Sequence, residues 1–303
     1  MKTAVITGPT GAIGSALCRK LLNEGFNVYA VCRPGTKRVC ALPDGTEIVY
    51  CDLSALAELP EKIEKADVFY HFGWADTIGE GRNDMTSQIG NLRFTIDAVR
   101  AAEKLGCDTF IGAGSQAEYG RVQGDLRPDT PCFPENGYGM AKLCAGMMSR
   151  VECEKFSIRH IWGRVLSVYG PNDGGATMVM STLNKLAAGE RPQFTAGEQQ
   201  WDYLYADDAA NAFYLMAEKG LDRAVYVIGG GKTRALREYI ETIRDTVSPG
   251  AEIGLGEIPY QENQVMYLCA DITDLTRDTG FTPAVEFEEG MRRTAEWYER
   301  KGE

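Results

Sequence analysis

The stretch AVITGPTGAIGS, residues 4–15, decides the fold. Its first four residues are apolar or β-branched and read as a buried strand, Gly8 lets the chain turn, and an amphipathic helix opens at Ala12. Gly11 allows backbone to approach a pyrophosphate, Gly14 allows the helix to pack on the strand, and the helix N-terminus faces the negative charge. A glycine triplet alone is a weak signal, and the spacing Gly-x-x-Gly-x-x-Gly departs from the commoner Gly-x-Gly-x-x-Gly. Its place between a strand and a helix in the first βαβ unit makes it a dinucleotide loop rather than a plain tight turn. Gly8, Thr10, Gly11, Ala12, Ile13 and Gly14 are therefore candidate cofactor contacts.

Outward from this loop, apolar runs alternate with helical patterns. Strands are expected near residues 2–7, 27–32, 46–50, 67–72, 108–112 and 157–162, with helices near 12–24, 57–65, 84–105 and 138–154. Such alternation implies an α/β fold, a Rossmann-like doubly wound parallel sheet covered on both faces. The end of the second strand distinguishes cofactors. An acidic residue there would accept hydrogen bonds from the ribose of NAD, whereas Cys32 followed by Arg33 suits a 2′-phosphate and favours NADP, unless Arg33 is a solvated loop residue. Asp52 and Leu53, just after the third strand, can receive the adenine amino group.

After Pro171 the alternation breaks into a Gly-rich loop and a mixed region with a helix at 177–188. It returns with a strand at 203–205, a helix at 207–219 and a strand at 224–228. The expected division is a dinucleotide-binding domain of residues 1–170 plus 201–232, and a discontinuous α/β substrate-binding cap of residues 171–200 plus 233–303. The cap should cover the carboxyl edge of the sheet, where ligands bind in open α/β folds.

Composition narrows the partners. A formal net charge of −11 disfavours nucleic acid and anionic membrane surfaces, leaving a small-molecule substrate as the expectation. The chain enters its first strand directly and has no apolar run long enough to cross a bilayer, which reads as cytoplasmic. Nine scattered cysteines without a Cys-x-x-Cys spacing fit reduced thiols. With His71 and His160 as the sole histidines, neither a histidine metal site nor a Ser-His-Asp triad has enough material, and no metal is expected.

The chemistry lies further along. Ser115 follows an apolar strand, and Tyr138 and Lys142 stand four residues apart on a helical stretch, so they share a face. A neighbouring ammonium stabilises phenolate, which makes Tyr138 the candidate acid/base. Ser115 would donate a hydrogen bond to the reacting substrate oxygen, unless it is merely a strand-end hydroxyl capping backbone. A nicotinamide would handle hydride.

Several segments in order, TGPTGAIGS, CDLS, YHFGW, Asn91, GAGSQAEYG, YGMAK, GRVLSVYGP and WDYLYADDAA, resemble the extended short-chain dehydrogenase/reductase family, the group that contains nucleotide-sugar epimerases, dehydratases and 4-ketoreductases. The resemblance covers essentially the whole chain. It implies catalytic roles for Ser115, Tyr138 and Lys142, cofactor contacts at Phe72, Gly73, Trp74 and Val165, and a homodimer through the helices at 84–105 and 138–154. Where the family usually has an Ala-Ala pair, YHFGW differs. The 4,6-dehydratases carry Asp-Glu directly after the catalytic hydroxyl, whereas this chain has Gln116-Ala117, with Glu118 one position off, so dehydration is disfavoured. The two arginines that often clamp a diphosphate correspond to Trp201 and Gln261. Arg191 or Arg234 can substitute, and Trp201 can stack on a base or sugar or simply pack in the core. Ser167 replaces a frequent Asn and leaves more room.

Candidate substrate contacts are Ser115, Gln116, Tyr138, Ser167 and Trp201. Three readings follow: an NADP(H)-dependent reductase of a sugar-like substrate such as a 4-keto nucleotide sugar, an epimerase that keeps NAD bound, and a dinucleotide sensor without chemistry. Intact Ser115, Tyr138 and Lys142 weigh against the last.

Overall fold

The computed structural model describes residues 1–302. Its first part runs β1 (Thr3–Thr7), α1 (Ala12–Asn23), β2 (Asn27–Cys32), β3 (Glu47–Tyr50), α2 (Leu59–Lys62), β4 (Val68–His71), α3 (Met85–Lys104), β5 (Thr109–Ser115), α4 (Gly137–Lys155) and β6 (Arg159–Val165). There follow β7 (Ser167–Tyr169), α5 (Met178–Ala187), β8 (Gln200–Trp201), β9 (Tyr203–Tyr205), α6 (Ala206–Lys219), β10 (Val225–Ile228), β11 (Arg234–Ala235), α7 (Leu236–Val247), β12 (Tyr267–Leu268), α8 (Thr273–Thr279) and α9 (Phe287–Gly302).

Seven strands form one parallel sheet in the order β3-β2-β1-β4-β5-β6-β10. The order reverses between β1 and β4, which opens a crevice at their carboxyl ends. Continuous apolar strands such as Ala4-Val5-Ile6 are buried on both sides, as a doubly covered parallel sheet requires. One core joins Leu17 and Leu21 of α1 to Phe213 and Met216 of α6. The other joins Phe69 and Phe110 to Val99 and Ala102 of α3.

Beyond the sheet, Tyr169, Tyr203, Tyr239 and Phe287 form an aromatic cluster, with the Tyr239 and Phe287 ring centroids 4.5 Å apart. It binds the ends of β7 and β9 to α7 and α9. Three short strands, β11-β8-β12, make a separate small sheet.

Three expectations need correction. The helix near 57–65 is a 3₁₀ turn at Leu53–Glu58 followed by the single turn of α2. Pro60 lacks the N–H that would continue a helix through this stretch, and Ile63 is already extended. The fifth strand runs on to Ser115, so this residue ends the strand rather than following it. Residues 203–205 pair with β7 instead of joining the seven-stranded sheet.

Candidate functional site

Local geometry explains the opening loop. Gly8 has φ +68°, and a Cβ there would lie 2.8 Å from the Gly73 nitrogen. At Gly14 a Cβ would lie 2.3 Å from the Gly8 carbonyl oxygen, so both positions exclude larger residues. Gly11 is different. A Cβ there meets only the Gly8 oxygen at 3.8 Å, which leaves open space above the start of α1. No side chain caps that helix, so its first N–H groups face the open space. A dinucleotide pyrophosphate fits this cradle.

Two cavities flank the loop. The first, of about 300 Å³, is lined by Gly8, Thr10, Arg33, Asp52, Leu53, Gly73 and Trp74. The second, of about 360 Å³, is lined by Gly8, Gly11, Ala12, Ile13, Gly14, Phe72, Trp74, Ser115, Tyr138, Lys142 and Val165. Trp74 borders both. Gln116, Ser167 and Trp201 border neither, although Ser167 and Trp201 meet, the indole N–H donating to Ser167 Oγ at 2.8 Å.

Tyr138 and Lys142 sit in the first two turns of α4. Asn136 Oδ1 accepts the Gly139 N–H and Asn83 Oδ1 accepts that of Gly137, so this helix start is held firmly. Lys142 Nζ donates to the Ala113 carbonyl at 2.6 Å and lies 3.7 Å from the Trp74 ring centroid. Burial pushes its ammonium down to about 7, and Glu118 acts in the opposite direction. The Tyr138 phenol is pushed up by burial, an effect partly offset by the Ser115 hydroxyl and by Arg82, whose guanidinium stands 4.5 Å over the ring.

Ser115 Oγ accepts the Ala117 N–H at 3.2 Å. The hydroxyl therefore does cap backbone, and because its oxygen serves as acceptor its proton remains available to donate into the cavity. The group can hold a carbonyl oxygen while the phenol gives or takes a proton.

Around the first cavity, Thr36 and Arg38 join Arg33. Arg38 donates to the carbonyls of Thr10 and Asn172, both at 2.9 Å, and so ties the glycine loop to the loop after β7. Asp52 Oδ1 accepts the N–H and hydroxyl of Ser54, which leaves Oδ2 open. Asp173, at the rim of the second cavity, is pushed up to about 6 by burial. Arg38, Thr36, Arg82 and Asp173 carry no motif, so periodicity and spacing could not have found them.

The diphosphate substitutes are occupied. Arg191 is paired with Glu257, and Arg234 with Glu288. His71 and His160 are buried and neutral, burial pushing them down to about 3 and about 4. His71 Nδ1 meets Thr7 Oγ1 at 3.0 Å, and Thr7 also accepts the Gly73 N–H, so this imidazole braces the crevice. Among the described residues no group of three or more His, Cys, Asp or Glu could hold a metal ion.

Comparison with known proteins shows the family and the fold. The model of the NAD dependent epimerase/dehydratase family matches residues 4–229. CDP-abequose synthase of Salmonella muenchen is 22% identical over 302 residues, covering 96% of each chain. A dTDP-glucose 4,6-dehydratase of Neisseria gonorrhoeae is 23% identical, covering 98% of this chain and 95% of its own. In fold, UDP-glucose 4-epimerase of Thermotoga maritima superposes with TM-score 0.89 at 23% identity, over 99% of this chain and all of its own. UDP-glucuronic acid 4-epimerase of Bacillus cereus, in complex with NAD, gives 0.85 at 21%, over 99% of this chain and 100% of its own.

Proposed function

The chain belongs to the NAD dependent epimerase/dehydratase family, and from that premise we propose an NAD(P)-dependent oxidoreductase that acts at a sugar-like carbonyl or hydroxyl, with reduction of a 4-keto nucleotide sugar as its leading activity. One observation carries the reading: Ser115, Tyr138 and Lys142 share a single cavity wall with the glycine loop and the open start of α1. Ser115 holds the substrate oxygen, Tyr138 delivers the proton to it, and Lys142 stabilises the phenolate left behind. A dinucleotide across the two cavities would supply the hydride. Gly8, Thr10, Gly11, Ala12, Ile13 and Gly14 would hold its pyrophosphate, and Asp52 and Leu53 its adenine.

Arg33, with Thr36 and Arg38 beside it, supports NADP. Dehydration is not supported, because Gln116 and Ala117 follow the hydroxyl and Glu118 is fully buried. Outside the two cavities, Trp201 and Ser167 would act as a joined pair, the indole face toward a base or sugar. The proposed cap comprises residues 171–200 and 233–303. The proposed assembly is a homodimer through α3 and α4, and nine unpaired cysteines support a cytoplasmic location.

A second reading, an epimerase that retains NAD, draws on one observation. Arg38 is engaged with two backbone carbonyls, so Arg33 stands as the single uncommitted guanidinium of the two at the ribose end. Titrating the purified protein with NADPH and NADH by fluorescence, and analysing nucleotide released on denaturation, separates the two. An empty protein preferring NADPH is expected; retained NAD would replace the reductase reading by the epimerase one.

A further inference from the structure

Glu118 faces away from the cavity yet touches the centre that the cavity contains. It is fully buried behind β5, at the end of the 3₁₀ turn Gln116–Glu118. One carboxylate oxygen accepts the Ser115 backbone N–H at 2.8 Å and the Trp162 indole N–H at 3.0 Å. The other accepts Nε of Arg164 at 2.7 Å, in an ion pair whose side chains are 1% and 8% exposed. Arg164 is held in turn by the Pro128 carbonyl.

The strand is built to admit this contact. A Cβ at Gly114 would lie 2.4 Å from the Glu118 Oε1 and 2.3 Å from the Trp162 nitrogen. On the cavity side of the same segment, the Ala113 carbonyl accepts from Lys142. Residues 113–115 are thus gripped from both sides, by a lysine in front and a carboxylate behind. An apolar pair of similar volume commonly matches or exceeds the stability of a buried ion pair, so stability alone does not account for the charges.

We propose that Glu118, held by Arg164, is a positioning residue: by accepting the Ser115 N–H from behind β5 it fixes the segment whose Ala113 carbonyl holds Lys142 in front and whose Ser115 hydroxyl lines the cavity. The inference rests on the dinucleotide-enzyme reading above. The titratable groups facing Lys142 are Tyr138 from α4, His71 from the end of β4 and Glu118 itself. Glu118 faces Arg164, and it shares a small cavity with Arg150 of α4, His160 of β6 and Arg223. Burial pushes His71 and His160 down to about 3 and about 4, Asp173 of the same cavity up to about 6 and Tyr138 upward, so a limb between pH 7 and 8 is assigned to Lys142.

The test is NADH and NADPH affinity, by fluorescence titration from pH 6 to 9, for the unsubstituted protein, E118Q and the apolar pair E118L/R164L. Affinity should fall on the alkaline side as the ammonium is lost. In E118L/R164L, which leaves the Ser115 N–H without an acceptor, that fall should begin at least about half a pH unit lower, about threefold weaker binding at pH 8, whereas E118Q, which keeps an acceptor oxygen, should stay near the unsubstituted profile. The double variant guards against E118Q failing to fold. A folded E118L/R164L whose affinity follows the unsubstituted profile would overturn the positioning role and leave the enzyme reading standing. If the unsubstituted protein binds neither dinucleotide, the enzyme reading fails and the inference falls with it.

Discussion

At Tyr138 the half-buried phenol is pushed upward by desolvation, and the groups that counter this are the Ser115 hydroxyl and the Arg82 guanidinium. Lys142, itself pushed down to about 7, is cationic over only part of the neutral range before a cofactor binds. Their roles in the proposed reaction should separate cleanly. Tyr138→Phe keeps the ring that packs edge-on to Trp74 and removes only the ionisable hydroxyl. Its dinucleotide affinity should stay within about twofold, while single-turnover hydride transfer falls by about 10²–10⁴, the usual range for losing a general acid. Lys142→Met should lose both, because the ammonium would also bind the ribose. A Tyr138→Phe enzyme with undiminished turnover would remove this residue from the chemistry. The sequence made Tyr138, Lys142 and Ser115 legible through spacing and neighbouring motifs. It did not reveal Arg82 over the phenol, because that contact joins α4 to a loop more than fifty residues earlier and follows no period.

In β5 the segment Gly112-Ala113-Gly114 looks like part of a cofactor loop, yet two of its residues serve a packing need. A Cβ at Gly112 would lie 2.1 Å from the Trp162 ring, and one at Gly146 of α4 would lie 2.7 Å from it. Trp162 lies fully buried in the resulting slot, within a run of rings that crosses three strands from His71 through Phe110 and His160. Gly112→Ala should therefore cost about 3 kcal/mol or more by overpacking, read as a lower urea midpoint with an unchanged slope. Adding Trp162→Phe, which removes the ring edge that collides, should recover part of the loss. No recovery would mean that Gly112 is required for a reason other than this indole. The strands and long helices of the parallel sheet were legible because their apolar runs are continuous and their helices amphipathic. The small sheet was not, since β8, β11 and β12 have two residues each and show no period. The helix expected near 57–65 failed for the opposite reason. Leu56, Leu59 and Ile63 repeat at helical spacing and are buried, but Pro60 keeps the α-helix from reaching back before Leu59 and the extended backbone at Ile63 ends it.

Across the whole molecule two balances can be measured. The first is proton linkage. His71 and His160, ordinarily near 6.5, are held at about 3 and about 4, so between pH 6.5 and 4 the unfolded chain binds protons that the folded one refuses. Stability therefore falls as pH falls through that window. Asp173, raised to about 6, works the other way below that pH because the folded state holds its proton. The net slope should be near one proton, about 1.4 kcal/mol per pH unit, and His160→Asn should reduce it by about that amount in urea unfolding at pH 6.5 and 5.5. An unchanged slope would mean that His160 is not buried neutral.

The second balance concerns association. Met140, Met147, Met148 and Val151 of α4 are each about half exposed, with Cys144 on the same face at the i+4 position from Met140, and Met85 and Ile89 extend the apolar surface onto the adjoining α3. A stripe of period 3.6 that points outward has the pattern of a helix face awaiting a partner. A second copy supplies the same stripe, so the proposed homodimer would bury it in a two-fold, self-complementary contact. Each protomer carries a net charge of −11, and this repulsion opposes the contact until salt screens it. Light scattering after size exclusion should find a dimer that strengthens between about 50 and 300 mM salt, and Met147→Glu/Val151→Glu should yield a folded monomer. A dimer unaffected by those two charges would place the interface elsewhere on the molecule, and an unsubstituted chain that is monomeric at every salt concentration would leave the apolar stripe without a second copy to cover it.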